Sequence, residues 1–175
     1  SSANGIELNR NGADATQSAR LFFDSSTNAS AIYNVGGTLT FSSGATPGAG
    51  SGTSIFEIAS DGSLSTPTAG TQNTRFGENA GNSIASGAVS NTVFGYNAGT
   101  AISTGDSNTA FGWNALAAED AHGTNTAFGE SALRMLNAGA NGYNVAVGKD
   151  TGGALTLGIS NVAVGAGALS IDTRG

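Results

Sequence analysis

The chain is expected to be all-β: a short N-terminal antiparallel β-meander over residues 1–70, then a β-solenoid of about six coils over residues 71–175. Three observations lead there. A nine-residue unit recurs six times in the second half, at steps of 18, 17, 17, 19 and 17 residues. Four short apolar runs, separated by turn-forming residues, occupy the first half. The composition, with 28 glycines, 38% apolar and 10% charged residues, suits a thin repetitive fold better than a compact globule.

The four runs are Leu21-Phe22-Phe23, Ala31-Ile32-Tyr33, Thr38-Leu39-Thr40-Phe41 and Ile55-Phe56-Glu57-Ile58, each the length of a strand. Asp24-Ser25-Ser26-Thr27-Asn28, Gly36-Gly37, the Ser/Gly/Pro stretch from Ser42 to Thr53, and Asp61-Gly62 supply the turns between and after them. An antiparallel meander is the simplest connection. So few apolar residues make a poor core alone, so packing against further copies is expected.

The repeats read NTRFGENAG from Asn73, NTVFGYNAG from Asn91, NTAFGWNAL from Asn108, NTAFGESAL from Asn125, NVAVGKDTG from Asn144 and NVAVGAGAL from Asn161. A period of 17 to 19 residues in β-rich units indicates coils that bury their apolar faces only by stacking. Positions two and four fall on one face of a strand. Because they are apolar or Thr, that face is expected to point inward, with a core ladder of Phe76, Phe94, Phe111, Phe128, Val147 and Val164. Position three, Arg75 and Val93 followed by Ala110, Ala127, Ala146 and Ala163, then faces outward, small enough for a neighbouring subunit to approach.

Position five is glycine throughout: Gly77, Gly95, Gly112, Gly129, Gly148 and Gly165. A turn with positive φ, or without room for Cβ, accounts for this. The opening asparagines are placed to hydrogen-bond turn backbone or the asparagine of the next coil. Connectors such as Asn82–Gly87 and Ala154–Gly158 form the return side, and the helix-like stretches 115–120 and 131–136, being in phase with the repeat, read as coil corners. Six strands at about 4.7 Å spacing make a stack about 28 Å tall.

Several classes of function are disfavoured. The net charge is −6, and the six basic residues (Arg10, Arg20, Arg75, Arg134, Lys149, Arg174) are scattered, so no nucleic-acid-binding stripe exists. Without cysteine there are no disulfides, thiol nucleophiles or cysteine zinc sites. No run of 18 apolar residues is present and no signal-peptide pattern opens the chain, so membrane insertion is not expected. The start at Ser1, and the end at Gly175 short of the asparagine due at position 178, read as a piece of a longer protein.

Catalytic signals are weak, and the chain is not expected to be an enzyme. His122, the single histidine, reads as an exposed loop residue, and the serines lack a nucleophile-elbow context. Glu78 and Glu130 share position six but stand three coils apart, about 14 Å, against the roughly 5 to 9.5 Å of glycosidase carboxylate pairs. Glu119 and Asp120, being adjacent, point to opposite sides. Asp106, Asp120 and Asp150 follow neither calcium-loop pattern, so no metal and no cofactor is expected. The sequon Asn28-Ala29-Ser30 matters only in a eukaryotic secretory pathway.

The sharpest candidate binding surface is the position-six column: Glu78, Tyr96, Trp113, Glu130, Lys149 and Ala166. Bracketed by glycine and a polar residue, it is expected to face solvent, so that Tyr96 and Trp113, flanked by Glu78 and Glu130, form an aromatic step able to stack on sugar rings. Cover for a subunit interface or a connector is the plainer alternative.

The units NTAFGWNAL, NTAFGESAL and NVAVGAGAL resemble the repeats of bacteriophage tail-fibre and tailspike proteins, many of which end in an endosialidase-type chaperone domain. They are similar, more loosely, to the heads of trimeric autotransporter adhesins, whose period is shorter. Arg20–Asp24, Ala31–Asn34 and Phe56–Gly62 are similar to the segment that often precedes such repeats. The resemblance implies a homotrimeric fibre in a virion or at a cell surface. It also implies a structural and adhesive role in host attachment, with a host-cell polysaccharide or protein receptor and other fibre or tail proteins as partners. The chaperone domain has no counterpart here, so no autoproteolytic residue is carried over. The alternatives are a polysaccharide-depolymerising tailspike and an ice-binding solenoid. Against the latter, the column Thr74, Thr92, Thr109 and Thr126 shares the face of the phenylalanines and becomes valine at 145 and 162, so it is expected to be buried.

Overall fold

A computed structural model describes residues 20–23, 29–35, 38–45, 53–62, 64–66 and 69–170. The chain divides into two compact units, Ser1–Pro67 and Thr68–Gly175. All the regular structure described is β.

The first unit is an antiparallel meander in the order β1-β2-β3-β4-β5: β1 Arg20–Phe23, β2 Ala29–Val35, β3 Thr38–Ala45, β4 Thr53–Ile58 and β5 Leu64–Ser65. The four apolar runs lie within β1 to β4. Strand β5 has no apolar run of its own and joins through the pairs Glu57↔Ser65 and Ile58↔Leu64. Phe41 and Phe56 are directly paired, with ring centroids 5.6 Å apart, and Thr40 and Ser42 are buried. Gly62, at φ +85°, closes a turn onto the Ala59 carbonyl, as the Asp61-Gly62 dipeptide suggests. The predicted turns at 24–28 and 36–37 lie outside the described residues, as do residues 46–52 of the predicted Ser42–Thr53 turn, whose ends belong instead to β3 and β4.

The second unit is a parallel β-solenoid. Its six three-residue strands are β6 Thr74–Phe76, β7 Thr92–Phe94, β8 Thr109–Phe111, β9 Thr126–Phe128, β10 Val145–Val147 and β11 Val162–Val164. They pair in sequence order with equivalent positions opposite one another, and five complete turns join them. The stretches 115–120 and 131–136 are turns within the coils rather than helices.

Backbone bonds run from coil to coil around much of the circumference. The residue after each asparagine donates to the next asparagine's carbonyl, as in Thr109 N–H to Asn125 at 2.8 Å. Each glycine at position five donates back to the preceding coil, as in Gly112 N–H to Phe94 at 2.8 Å. Position five has φ between +117° and +139°. A Cβ on Gly112 would lie 2.5 Å from the Gly129 carbonyl oxygen, so stacking as well as conformation selects glycine there.

The strands face the opposite way from the sequence-based expectation. Position three is inside: Val93, Ala110, Ala127, Ala146 and Ala163 are buried. The expected core ladder is outside, with Phe76, Phe94, Phe111, Phe128, Val147 and Val164 between 37% and 68% exposed. The alanine column therefore belongs to the coil's own interior and is not a surface for a neighbour. The cause is space. The coils already enclose the asparagines from Asn91 to Asn144, the residue at position eight (Ala80, Ala98, Ala115, Ala132, Thr151) and a large aliphatic from the corner or connector, Leu155 being partly buried. A phenylalanine per coil does not fit, so the ring turns outward and stacks on its own copies.

Core volume is shared between two positions. Gly81 and Gly99 at position nine make room for Ile84 and Ile102 at position twelve, and a Cβ on Gly99 would lie 2.7 Å from the Ile102 Cδ1. In coils 3 and 4 position nine is instead Leu116 or Leu133, both buried and both in the left-handed region at φ +51° and +49°. That conformation is unusual for leucine and is held by core packing.

Candidate functional site

Two outward surfaces of the solenoid carry chemistry. The first is the strand face, with threonine or valine at position two beside the aromatic or valine column at position four. The phenyl rings stack nearly parallel, with centroids 5.0, 4.8 and 4.8 Å apart and interplanar angles of 11°, 7° and 9°. Stacking covers the ring faces and leaves edges to solvent, so the surface is a smooth apolar ridge rather than a set of sugar platforms. Thr74 and Thr92 are exposed and Thr109 and Thr126 half-buried beside it, so the expectation that this threonine column is buried is corrected as well.

The second surface lies past the glycine corner. All six position-six side chains are exposed: Glu78, Tyr96, Trp113, Glu130, Lys149 and Ala166. Tyr96 is 44% and Trp113 49% exposed, and among the described residues no ring contact joins them. Asn79, Asn97 and Asn114 line the adjacent position seven in the left-handed conformation, with the Asn79 side-chain amide donating to Asn97 Oδ1 at 3.1 Å. The column thus places two aromatic rings next to side-chain amides, a combination suited to a hydroxylated ligand.

Glu130 is engaged by Lys149 of the next coil, Nζ to Oε1 2.7 Å, and this contact raises the Lys149 pKa above its ordinary 10.5. As an exposed pair it contributes little to stability. The structure does not bring Glu78 and Glu130 together, since the coils of Tyr96 and Trp113 stand between them. Among the described residues no group of three His, Asp or Glu side chains is placed to hold a metal, and no helix is long and apolar enough to cross a membrane.

Inside the coil the asparagines form a continuous ladder. Each Oδ1 accepts the backbone N–H of the next asparagine, at 2.9 Å for Asn91 and Asn108, 3.1 Å for Asn125, 3.3 Å for Asn144 and 3.0 Å for Asn161. Each Nδ2 donates to a connector carbonyl, as in Asn91 to Gly105 at 2.7 Å and Asn144 to Gly158 at 2.9 Å. Asn91, Asn108, Asn125 and Asn144 are fully or almost fully buried, so the ladder belongs to the core rather than to an outer edge.

His122 is not the freely exposed loop residue expected. Its Nδ1 is buried, without a hydrogen-bond partner, 3.6 Å from Oε1 of the fully buried Glu119. Sequence reasoning passed over Glu119 as half of an adjacent acid pair. The signal that finds it is the position-twelve column, which in the first five copies reads Ile84, Ile102, Glu119, Leu136 and Leu155.

No family model, curated protein or solved structure matches this chain.

Proposed function

We propose that this chain is a structural and adhesive segment of a homotrimeric surface appendage of the bacteriophage tail-fibre kind. On this reading it attaches a virion to host-cell glycans or a protein receptor, with other fibre or tail proteins as its neighbours. The observation that carries the reading is the phenylalanine ridge. A regular apolar face running along the solenoid costs free energy in water, and exposed patches of that kind mark association surfaces. Identical ridges with the same rung spacing can interdigitate, and the tail-fibre resemblance points to three copies. The position-six column lies outside the strand face, so it stays free to present Tyr96 and Trp113, and threefold display adds avidity.

Light scattering with circular dichroism tests the reading. The expected mass is three times the 17.0 kDa of the chain with a β-rich spectrum, and the double variant Phe94→Glu/Phe111→Glu should be monomeric with the same spectrum. A wild-type monomer would overturn it. The exposure of Thr74 and Thr92 favours a second reading, binding to ice through the strand face, which a thermal-hysteresis measurement on the wild type decides.

A further inference from the structure

Past the glycine corner the solenoid presents one exposed side chain per coil, and successive rungs read Glu78, Tyr96, Trp113 and Glu130. Backbone bonds hold these rungs in step. The Asn97 N–H donates to the Glu78 carbonyl at 3.0 Å, the Asn114 N–H to the Tyr96 carbonyl at 3.0 Å and the Ser131 N–H to the Trp113 carbonyl at 2.8 Å. The column therefore keeps the parallel-strand spacing of about 4.8 Å. An equatorially linked pyranose ring advances its chain by nearly the same length. A linear oligosaccharide lying along the solenoid axis thus sets one ring on each rung.

The two aromatic rungs are not spent on each other. The phenylalanine rings of the strand face stack at 4.8 to 5.0 Å, whereas among the described residues no ring contact joins Tyr96 and Trp113. Their faces stay open to a ligand. Asn97 and Asn114, half-buried at the adjoining position seven, supply neutral amides for ring hydroxyls.

Charge selects among the sugars that fit this spacing. Lys149 holds Glu130 at 2.7 Å, so that charge is matched within the protein and closes the column on one side. Glu78, at the other side, is exposed, and among the described residues its carboxylate has neither a hydrogen bond nor an ion pair. No described cation of the solenoid is placed to answer it: Lys149 is engaged, Arg75 Nε donates to the Ala80 carbonyl at 2.7 Å, and Arg134 belongs to the turn at position ten of coil 4. The exposed Asp150 beside Lys149 adds a further negative charge. Such a surface repels carboxylated sugars and attracts an ammonium group, which gains in addition from the faces of the neighbouring rings. Granted the adhesive role proposed above, we infer that the position-six column binds a linear amino-sugar oligosaccharide, with a free ammonium group at Glu78 and sugar rings on Tyr96 and Trp113.

Trp113 is the single tryptophan of the chain, so its fluorescence reads the site directly. The full chain is titrated with glucosamine oligomers of increasing length, with their N-acetylated counterparts and with oligouronates. At low ionic strength the amine form should bind about three- to tenfold tighter than the N-acetylated form, and the ratio should shrink as salt is added. Affinity should rise with length up to about three rings, one for each rung before the Glu130–Lys149 pair, and then level off. Glu78→Gln should bring the two forms to within about twofold of each other. Tyr96→Ala should weaken both. Equal affinity for the two forms in the wild type, tighter binding of the oligouronate, or a preference that survives Glu78→Gln would overturn the inference and leave the adhesive role standing. Absence of binding by all three classes would overturn the column as an adhesive surface, and the inference with it.

Discussion

Asn108 Nδ2 donates to the His122 carbonyl at 3.0 Å, while its Oδ1 accepts both the backbone N–H of Asn125 at 3.1 Å and the Asn125 side-chain amide at 3.3 Å. One buried side chain thus closes its own coil and ties it to the next. Asn108→Ala leaves the buried Asn125 N–H and the His122 carbonyl without these partners. A loss of about 1–3 kcal/mol for each orphaned group is expected, read as a lower denaturant midpoint. A midpoint equal to the wild type would mean that water or a shifted backbone replaces the ladder.

Gly112 and Gly165 occupy the same repeat position in different surroundings. At Gly112 a Cβ meets the Gly129 carbonyl at 2.5 Å, whereas at Gly165, in the last described coil, nothing lies within 4 Å. Gly112→Val should therefore unfold or severely destabilise the stack. Gly165→Ala should cost only the positive-φ penalty, about 1–3 kcal/mol. Paired thermal melts check this, and equal losses would argue that conformation alone sets the glycine column.

The inward orientation of position three is tested at Ala127, which is fully buried. Ala127→Leu should destabilise by about 1–3 kcal/mol through overpacking. Were the strand turned the other way, the same change would be a neutral surface substitution.

Leu116 fills coil 3 from a left-handed backbone conformation and is fully buried. Leu116→Ala should cost about 2–5 kcal/mol, with the cavity only partly relaxed. Chemical denaturation measures it, and a loss under 1 kcal/mol would show that coil 3 collapses around the gap.

Trp113→Ala and Tyr96→Ala remove only exposed rings, so thermal stability should be unchanged. Binding on a glycan array should fall if the position-six column is the ligand surface. Unchanged binding with both rings removed would transfer the adhesive role to another surface.

Much of the solenoid is legible in the chain. The period, the six strands, the turn at each position-five glycine and the partnership of successive asparagines all follow from local chemistry repeated at a fixed interval, and repetition makes a weak signal consistent. The meander is legible strand by strand except for β5, whose Leu64-Ser65 segment is too short to carry a pattern and exists only because β4 offers an edge.

The sequence by itself determined which residues alternate and which recur, because strand parity and turn conformation are properties of a few adjacent residues. Parity also contained the clue to orientation: Asn108 and Ala110 must share one face and Thr109 and Phe111 the other. Only the tertiary structure decided which face is inside, because that depends on the volume left within a narrow coil once the asparagine ladder and the position-twelve side chains have entered it. The same closure buried Glu119 beside His122, since a carboxylate in an aliphatic column acquires its partners only when the coils stack.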